Sequence, residues 1–106
     1  MEVKKIRTKE EFDAAVESNK AVCMKLYGIW CGPCKVLSTT LESMDNIEGL
    51  SVYEIDVDDC DEEIINSLSV RGVPTMILYK DGFQVDRING AMGKEVIETK
   101  FKELVG

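Results

Sequence analysis

Residues 26–35 read LYGIWCGPCK, and this segment decides how the rest of the chain is interpreted. It overlaps a short apolar run at 21–27, which is typical of a central strand covered on both faces. After Pro33, apolar residues recur at helical spacing from Cys34 to Met44. The segment therefore predicts a strand, a tight loop that holds Cys31, and a helix that begins near Pro33.

The remaining elements follow from periodicity and turn residues. A capping box at Thr8–Glu11 starts a helix, and Asp81-Gly82 predicts a hairpin. A change of parity in the strand after it predicts a bulge near Asp86 or Arg87. The other predicted elements are a weak strand at 2–6, a helix at 9–18, a strand at 51–57, a helix capped by Asp59, a strand at 75–79 and a helix at 94–105. The order β-α-β-α-β-α-β-β-α predicts one α/β domain over residues 1–106, with helices on both faces of a mixed central sheet.

The composition of the chain excludes several classes of function. Thirteen basic and twenty acidic residues give a net charge of −7, which argues against nucleic-acid binding through a basic face. The absence of histidine excludes a catalytic Ser-His or Cys-His pair. No apolar run is long enough for a membrane helix, and residues 1–6 have no signal-peptide core. We therefore expect a cytoplasmic protein.

Four cysteines, at positions 23, 31, 34 and 60, form one Cys-x-x-Cys pair and two isolated residues. A structural zinc site usually has two close pairs, so we expect no metal ion. Cys23 lies in an apolar run and Cys60 beside acidic residues, and both fit a buried or half-buried free thiol. For the Cys-x-x-Cys pair itself, half of a zinc site is the alternative to a redox function.

The residues around the pair suit thiol–disulfide exchange. Pro33 fits the first turn of a helix, and Gly32 permits a tight approach to it. Cys31 would cap this helix, where free amides and the helix dipole favour a thiolate and lower the thiol pKa. Cys34 would be shielded one turn inward, and Trp30 would form an apolar wall. In this arrangement an accessible Cys31 attacks a substrate disulfide, and Cys34 resolves the mixed disulfide.

Three segments together resemble the thioredoxin family. Trp30–Lys35 reads WCGPCK and matches the active-site motif of that family. Glu54–Cys60 is similar to the third strand and following turn of animal members, and Gly72–Thr75 resembles the family's cis-proline loop. The resemblance covers nearly the whole chain and implies the thioredoxin fold.

The resemblance also implies where a substrate binds. It implies a cis bond between Val73 and Pro74 opposite the cysteines, a state that few X-Pro bonds adopt. Val73, Pro74 and the Gly90-Ala91 segment would border a groove with Trp30 and the two residues between the cysteines. In the family, an extended segment of the partner binds there, partly through main-chain hydrogen bonds.

Three positions depart from the family's pattern. Thr39 stands where the second helix usually has a proline, so a kink is lost, although hydroxyl back-bonding can bend a helix gently. Tyr27 stands where a tryptophan is common. Lys25 stands where the family usually has a buried aspartate that handles the proton of the resolving thiol. Glu54 occupies the neighbouring-strand position where many bacterial members have lysine.

Lys25 and Glu54 therefore suggest the usual acid–base pair with its members exchanged. An unpaired buried ammonium is costly, so we expect Lys25 to have a partner. In one hypothesis Glu54, through Lys25 or a water, takes the proton from Cys34, and a charged Lys25 makes the cysteine pair a better oxidant. In the other, the charges form a purely structural pair or Lys25 extends to solvent, with Glu54 simply exposed.

The function inferred from the cysteine pair and the resemblance is a thiol–disulfide oxidoreductase that reduces protein disulfides. The family implies a flavoprotein thioredoxin reductase as the electron source, disulfide-containing proteins as partners and no bound cofactor. We expect a monomeric electron carrier. The alternatives are an oxidant or isomerase with the same chemistry, a subunit whose groove binds a partner without redox chemistry, and, more remotely, an intersubunit metal or Fe–S site.

Overall fold

The computed structural model describes all 106 residues and contains five strands and four helices. In chain order they are β1 (Lys4–Lys5), α1 (Lys9–Ser18), β2 (Ala21–Tyr27), α2 (Gly32–Glu42), β3 (Leu50–Asp56), α3 (Glu62–Leu68), β4 (Thr75–Lys80), β5 (Phe83–Asn89) and α4 (Lys94–Val105). This order is the predicted one. None of the four helices has the length and apolar character that crossing a membrane requires.

The sheet has the strand order β1-β3-β2-β4-β5. The first three of these strands are parallel, whereas β4 runs antiparallel to β2 and β5 antiparallel to β4. Because β4 is antiparallel, it begins at the sheet edge where β2 ends, and Leu26 pairs with Thr75 there. The loop after β2 and the loop before β4 therefore meet, which brings Cys31 close to Pro74.

Helices cover both faces of the sheet, as predicted. Val22, Met24 and Leu26 of β2 belong to the cluster formed with α1 and α3, whereas Cys23 belongs to the cluster formed with α2 and α4. Alternation along a strand places every second side chain on the same face. Lys25 therefore points toward α2, the helix that begins beside the cysteine pair.

The predicted capping box at the start of α1 is confirmed. Thr8 Oγ1 accepts a hydrogen bond from the Glu11 amide at 3.1 Å, and Glu11 Oε1 accepts one from the Thr8 amide at 3.0 Å. Two amides that the first turn leaves without helical partners are thereby satisfied. The helix ends at Ser18, before Asn19, as the sequence predicts.

The predicted cap of α3 is wrong. Asp61, not Asp59, occupies the N-cap position, and its side chain makes no capping hydrogen bond. Both carboxylates are bound elsewhere: Asp59 pairs with Arg7 at 3.1 Å, and Asp61 accepts a hydrogen bond from the Lys9 amide at 2.9 Å. These long-range contacts tie the turn before α3 to the start of α1, and nothing local in the sequence reveals them.

The predicted hairpin and bulge are present between β4 and β5. Asp81 and Gly82 have φ values of 51° and 87°, and a two-residue type I′ turn requires positive φ at both positions. Val85 has no pairing partner on β4. The bulge therefore lies one residue before Asp86, one of the two positions that the change of parity predicted. The extra residue returns Ile88 to the buried face while Val85 stays exposed.

Candidate active site

The loop after β2 places the two cysteines at the beginning of α2. Cys31 is the N-cap residue, and its Sγ accepts a hydrogen bond from the Cys34 amide at 3.1 Å. Gly32 and Pro33 form the start of the helix, as predicted. The two cysteines are joined in a disulfide across a Cα–Cα distance of 5.3 Å. The structure thus describes the oxidised protein.

The expectation of one accessible and one buried sulfur is wrong for this oxidised form. Cys31 is only 5% exposed and Cys34 2% exposed. Cys31 is covered because its Sγ lies 3.7 Å from the carbonyl oxygen of Val73, in the loop before β4. Cys34 is buried as predicted, on the α2 face that it shares with Leu37 and Leu41. In the oxidised protein both sulfurs are therefore largely shielded from solvent, and the Val73 carbonyl is the neighbour of Cys31 Sγ across the loop.

Trp30 is held in a defined orientation rather than acting only as an apolar wall. Its indole nitrogen donates a hydrogen bond to Asp58 Oδ2 at 2.6 Å, although the residue is 66% exposed. The ring lies directly over Gly28, where an added Cβ would come within 2.6 Å of it. Sequence reasoning missed Asp58 and Gly28, because the contacts depend on how the loop after β3 packs.

The cis bond between Val73 and Pro74 is confirmed. The Gly90 amide donates to the Pro74 carbonyl at 2.9 Å, which joins the loop after β5 to the loop before β4. Beside them lies a depression of about 520 Å³, lined by Ser69, Arg71, Gly72, Val73, Pro74, Thr75, Arg87, Asn89 and Gly90. Of the predicted groove residues, Val73, Pro74 and Gly90 line it, whereas Trp30, Gly32, Pro33 and Ala91 do not.

Lys25 is buried and has partners, as expected. It is 2% exposed, and its Nζ donates a hydrogen bond to Ser38 Oγ at 2.6 Å. Glu54 is its register neighbour on β3, with Oε2 at 3.5 Å from Nζ. The Tyr27 ring centroid lies 5.3 Å from the same nitrogen. Glu54 itself is 27% exposed, so the pair joins a buried cation to a partly solvated carboxylate.

Ser38 is a residue of this cluster that sequence reasoning did not assign. The available signal was its position four residues after Cys34, which places both on one face of α2. Two cavities meet at Ser38: one of about 240 Å³ is also lined by Lys25 and Glu54, and one of about 430 Å³ is also lined by Cys34. Glu42 lines both cavities. Ser38 therefore borders both the cavity beside Cys34 and the cavity beside the charged pair.

The hydroxyl back-bonds considered for α2 are present. Thr39 Oγ1 donates to the Lys35 carbonyl, and Thr40 Oγ1 donates to the Val36 carbonyl, both at 3.1 Å. These bonds occupy the helix where the family usually has a proline. They satisfy both threonine hydroxyls on the helix itself, so the departure from the family's pattern leaves no unsatisfied polar group there.

In both remaining cysteines the surroundings raise the pKa of the thiol. Complete burial raises the pKa of Cys23 to about 12, although the nearby Lys25 charge acts in the opposite direction. Partial burial, together with Asp56 and the neighbouring aspartates, raises the pKa of Cys60. Both thiols are free. No group of three or more Cys, Asp or Glu side chains is arranged to hold a metal ion.

Comparison with known proteins agrees with the fold and the cysteine pair. The family model described as Thioredoxin matches residues 3–103. A thioredoxin from Mycobacterium tuberculosis is 37% identical over 92 residues, which cover 85% of this chain and 78% of that protein. The structure of a mutant thioredoxin from Halobacterium salinarum superposes with a TM-score of 0.90 at 28% identity, covering 99% of this chain and 92% of that chain.

A further relative carries two functions in one chain. A protein named bifunctional thioredoxin reductase/thioredoxin from Mycobacterium leprae is 35% identical over 96 residues, covering 89% of this chain but only 21% of that protein. Its name joins a reductase to a region similar to this chain.

Two cysteines that can form a disulfide with each other at the start of a helix can carry out both steps of disulfide exchange: one attacks a substrate disulfide, and the other resolves the mixed disulfide. The protein is therefore a thiol–disulfide oxidoreductase. The family model covers nearly the whole chain, and the relative from Mycobacterium tuberculosis is similar over most of it. The chain belongs to the thioredoxin family.

Proposed function

We propose that the protein reduces protein disulfides with Cys31 as the nucleophile and Cys34 as the resolving thiol. The Cys31 thiolate attacks one substrate sulfur, forms a mixed disulfide and releases the other sulfur, which takes up a proton. Cys34 then loses its proton and attacks Cys31, and the second substrate sulfur leaves as a thiol. Two electrons pass from the cysteine pair to the substrate. Because Cys31 reacts as a thiolate, the pair supplies one proton, released by Cys34, and the other proton that the substrate sulfurs take up comes from solvent. The position of the Cys31–Cys34 disulfide at the N-cap of α2 carries this proposal.

The proposed groove is formed by the residues around this disulfide. Val73 offers its carbonyl beside Cys31 Sγ, and main-chain bonds to an extended partner segment would form there. Pro74, Gly90 and Ala91 would border the groove on one side and Trp30 on the other. A Cβ on Gly32 would meet nothing within 4 Å beyond its chain neighbours and its own helix backbone, and this open space at Gly32 supports the proposal that a partner segment passes over Gly32 and Pro33.

For Lys25 and Glu54 we propose a role in the resolution step. The Lys25 ammonium is buried and donates a hydrogen bond to Ser38. Ser38 lies one helical turn after Cys34, so this positive charge lies near the resolving thiol. Its charge would stabilise the Cys34 thiolate, and the released proton would pass to Glu54 through water in the adjoining cavities. Stabilising the thiolate favours the reduced protein and so raises the reduction potential.

Exchanging the two charges tests this role. The double variant Lys25→Asp with Glu54→Lys keeps an ion pair in place but puts the carboxylate next to Ser38. We expect its reduction potential to be more negative by about 30 mV or more, equivalent to about 1.4 kcal/mol. The variant Lys25→Met should shift the potential in the same direction. Potentials equal to that of the native protein in both variants would remove the electrostatic role.

The reductase, the compartment and the assembly state belong to the same proposal. The name of the mycobacterial relative that joins a reductase to a thioredoxin supports a flavoprotein thioredoxin reductase as the electron source. We propose an electron carrier that acts as a cytoplasmic monomer, with residues 1–106 as one domain and disulfide-containing proteins as substrates.

A trapping experiment tests the two cysteine roles. Reduced Cys34→Ser should form a stable mixed disulfide with a cystine peptide through Cys31, detected as a mass adduct. Cys31→Ser should form none, and Cys60→Ser, the matched control, should turn over like the native protein. Adduct formation through Cys60 would overturn the assignment. If the double variant Cys31→Ser with Cys34→Ser keeps the biological function, the redox-independent binding subunit is the correct alternative.

A further inference from the structure

The depression beside the cis proline lies next to the reacting sulfur. Val73 and Pro74 form part of its lining, and the Val73 carbonyl oxygen lies 3.7 Å from Cys31 Sγ. A substrate segment that bonds to Val73 must therefore extend over this depression or away from it toward Trp30. The chemistry of the lining consequently influences which segments are bound.

The lining of this depression has a charge opposite to that of the protein. The chain has a net charge of −7, yet the nine lining residues include Arg71 and Arg87 and no acidic residue. All four ion pairs of the structure use other cations, namely Arg7, Lys9, Lys25 and Lys100. Arg71 and Arg87 thus line the depression without a carboxylate within 4.0 Å of either guanidinium, so neither positive charge is neutralised by an ion pair.

One of the two arginines is held in a fixed orientation. The guanidinium of Arg87 donates to the Leu68 carbonyl and to the Ser69 carbonyl, the latter at 3.5 Å. These carbonyls lie at the end of α3, where helical partners are missing. Arg71 is exposed, and no hydrogen bond holds its side chain. A cation that is already oriented loses less conformational entropy when it binds a carboxylate.

The opposite side of the active site has the opposite charge. Trp30 donates to Asp58 there, and residues 56–63 contain six acidic side chains. Asp58 is thus a carboxylate on the Trp30 side of Cys31, whereas Arg71 and Arg87 line the depression on the Val73 side. Such a division favours partners with complementary charge and repels others.

We propose that Arg71 and Arg87 select substrates, and that the preferred substrates are protein segments with acidic residues beside the disulfide cysteine. The proposal rests on the disulfide-reductase function and names the substrate class of that same site. The electron and proton balance of the reaction is unchanged, because the arginines bind the segment and take no part in the exchange. Arg71 and Arg87 are thus specificity-determining residues.

Peptide disulfides provide the direct test. The substrates are cystine-linked peptides with two aspartates N-terminal to the cysteine, the same with aspartates C-terminal, and matched asparagine versions. Single-turnover reduction by the reduced protein gives kcat/KM for each. We expect one acidic peptide to be reduced roughly two- to fivefold faster than its asparagine version, the range of exposed ion pairs. This ratio should fall toward one at about 0.5 M salt, where screening extends over only a few ångströms.

Variants separate the arginines from the general charge of the protein. Arg71→Gln should lower the acidic-to-neutral ratio, and Arg71→Glu should reduce it below one. Arg87 also binds the end of α3, so removing its charge could disturb the fold. The conservative variant Arg87→Lys is used instead, and it should retain part of the preference for acidic peptides. Lys20→Gln removes one positive charge at the other end of β2, where β2 begins, and should leave the ratio unchanged.

The outcomes distinguish this inference from the proposed function. Equal rates for acidic and neutral peptides, or an acidic preference that Arg71→Glu does not alter, would overturn the inference while leaving the reductase function intact. Failure to reduce any peptide would overturn the reductase function itself. An Arg71-dependent rate with glutathione disulfide, but none with the peptides, would contradict a protein segment as the ligand.

Discussion

Removing one charge of the Lys25–Glu54 pair should have very different effects depending on which charge is removed. At an effective dielectric constant of about 20, unit charges at the observed 3.5 Å attract by about 5 kcal/mol. Burial of the ammonium offsets most of this, so the pair contributes little net stability. Glu54→Gln leaves a 2% exposed ammonium without a counter-charge, with only neutral partners, namely the Ser38 hydroxyl, the Tyr27 ring and the amide oxygen that replaces the carboxylate. We expect a loss of about 3 kcal/mol.

Lys25→Met should cost less than about 1 kcal/mol, because it removes the buried charge and keeps most of the volume. Glu54 is then unpaired, but its 27% exposure lets water solvate it. The double variant should be close to Lys25→Met alone. In a double-mutant cycle the two changes are therefore strongly non-additive.

Urea unfolding of the oxidised protein measures these differences. With an m-value of about 1.5 kcal/mol/M, a loss of 3 kcal/mol lowers the midpoint by about 2 M. Glu48→Gln is the matched control, because Glu48 is exposed and forms no ion pair, and it should change stability by less than about 0.5 kcal/mol. If Lys25→Met proves as destabilising as Glu54→Gln, the buried ammonium does not depend on the Glu54 charge for its stability.

Four further predictions concern the two residues of the capping box, the indole and the buried thiol. Thr8→Ala should cost about 1 kcal/mol and lower Tm by about 4 °C in calorimetry. Hydrogen bonds from the amides of Arg7 and Thr8 lower the pKa of Glu11, so its contribution to stability is present above its unfolded pKa and is lost as pH falls through the folded pKa. Glu11→Gln should accordingly flatten the acid limb of a stability–pH curve, and an unchanged slope would contradict this. Gly28→Ala should displace the indole of the single tryptophan and change its fluorescence maximum, since the new Cβ would lie 2.6 Å from the ring; an unchanged spectrum would refute the contact. Cys23, with burial raising its pKa to about 12, should resist iodoacetamide at pH 8 until the protein unfolds, as mass spectrometry would show.

Local sequence patterns predicted the fold well because each element has its own signal. The helical period, the capping box at Thr8 and the Asp81-Gly82 turn act within a few residues of the chain. The parity change before Ile88 likewise revealed a bulge. The cap of α3 could not be predicted, because the carboxylate of Asp59 is bound to Arg7, an interaction between distant parts of the sequence.

The site was predictable where a motif carries the chemistry and not where packing assembles it. Cys31 and Cys34 followed from residue type and spacing, and the cis state of Pro74 followed from resemblance to the family. Ser38 bonds to Lys25 across thirteen positions, and Arg87 reaches the end of α3 across nearly twenty. Such contacts depend on which strands and helices are neighbours, and so they required the structure.

Everything proposed for this protein requires that Cys31 and Cys34 form a reversible dithiol–disulfide couple. Equilibrating the protein in dithiol buffers of graded potential, then unfolding it and mass-tagging every free thiol, tests this most directly. We expect residues 31 and 34 to lose and regain their tags together as one two-electron couple, while Cys23 and Cys60 remain free throughout. Absence of a reversible disulfide between Cys31 and Cys34, or a disulfide that includes Cys23 or Cys60, would contradict the account.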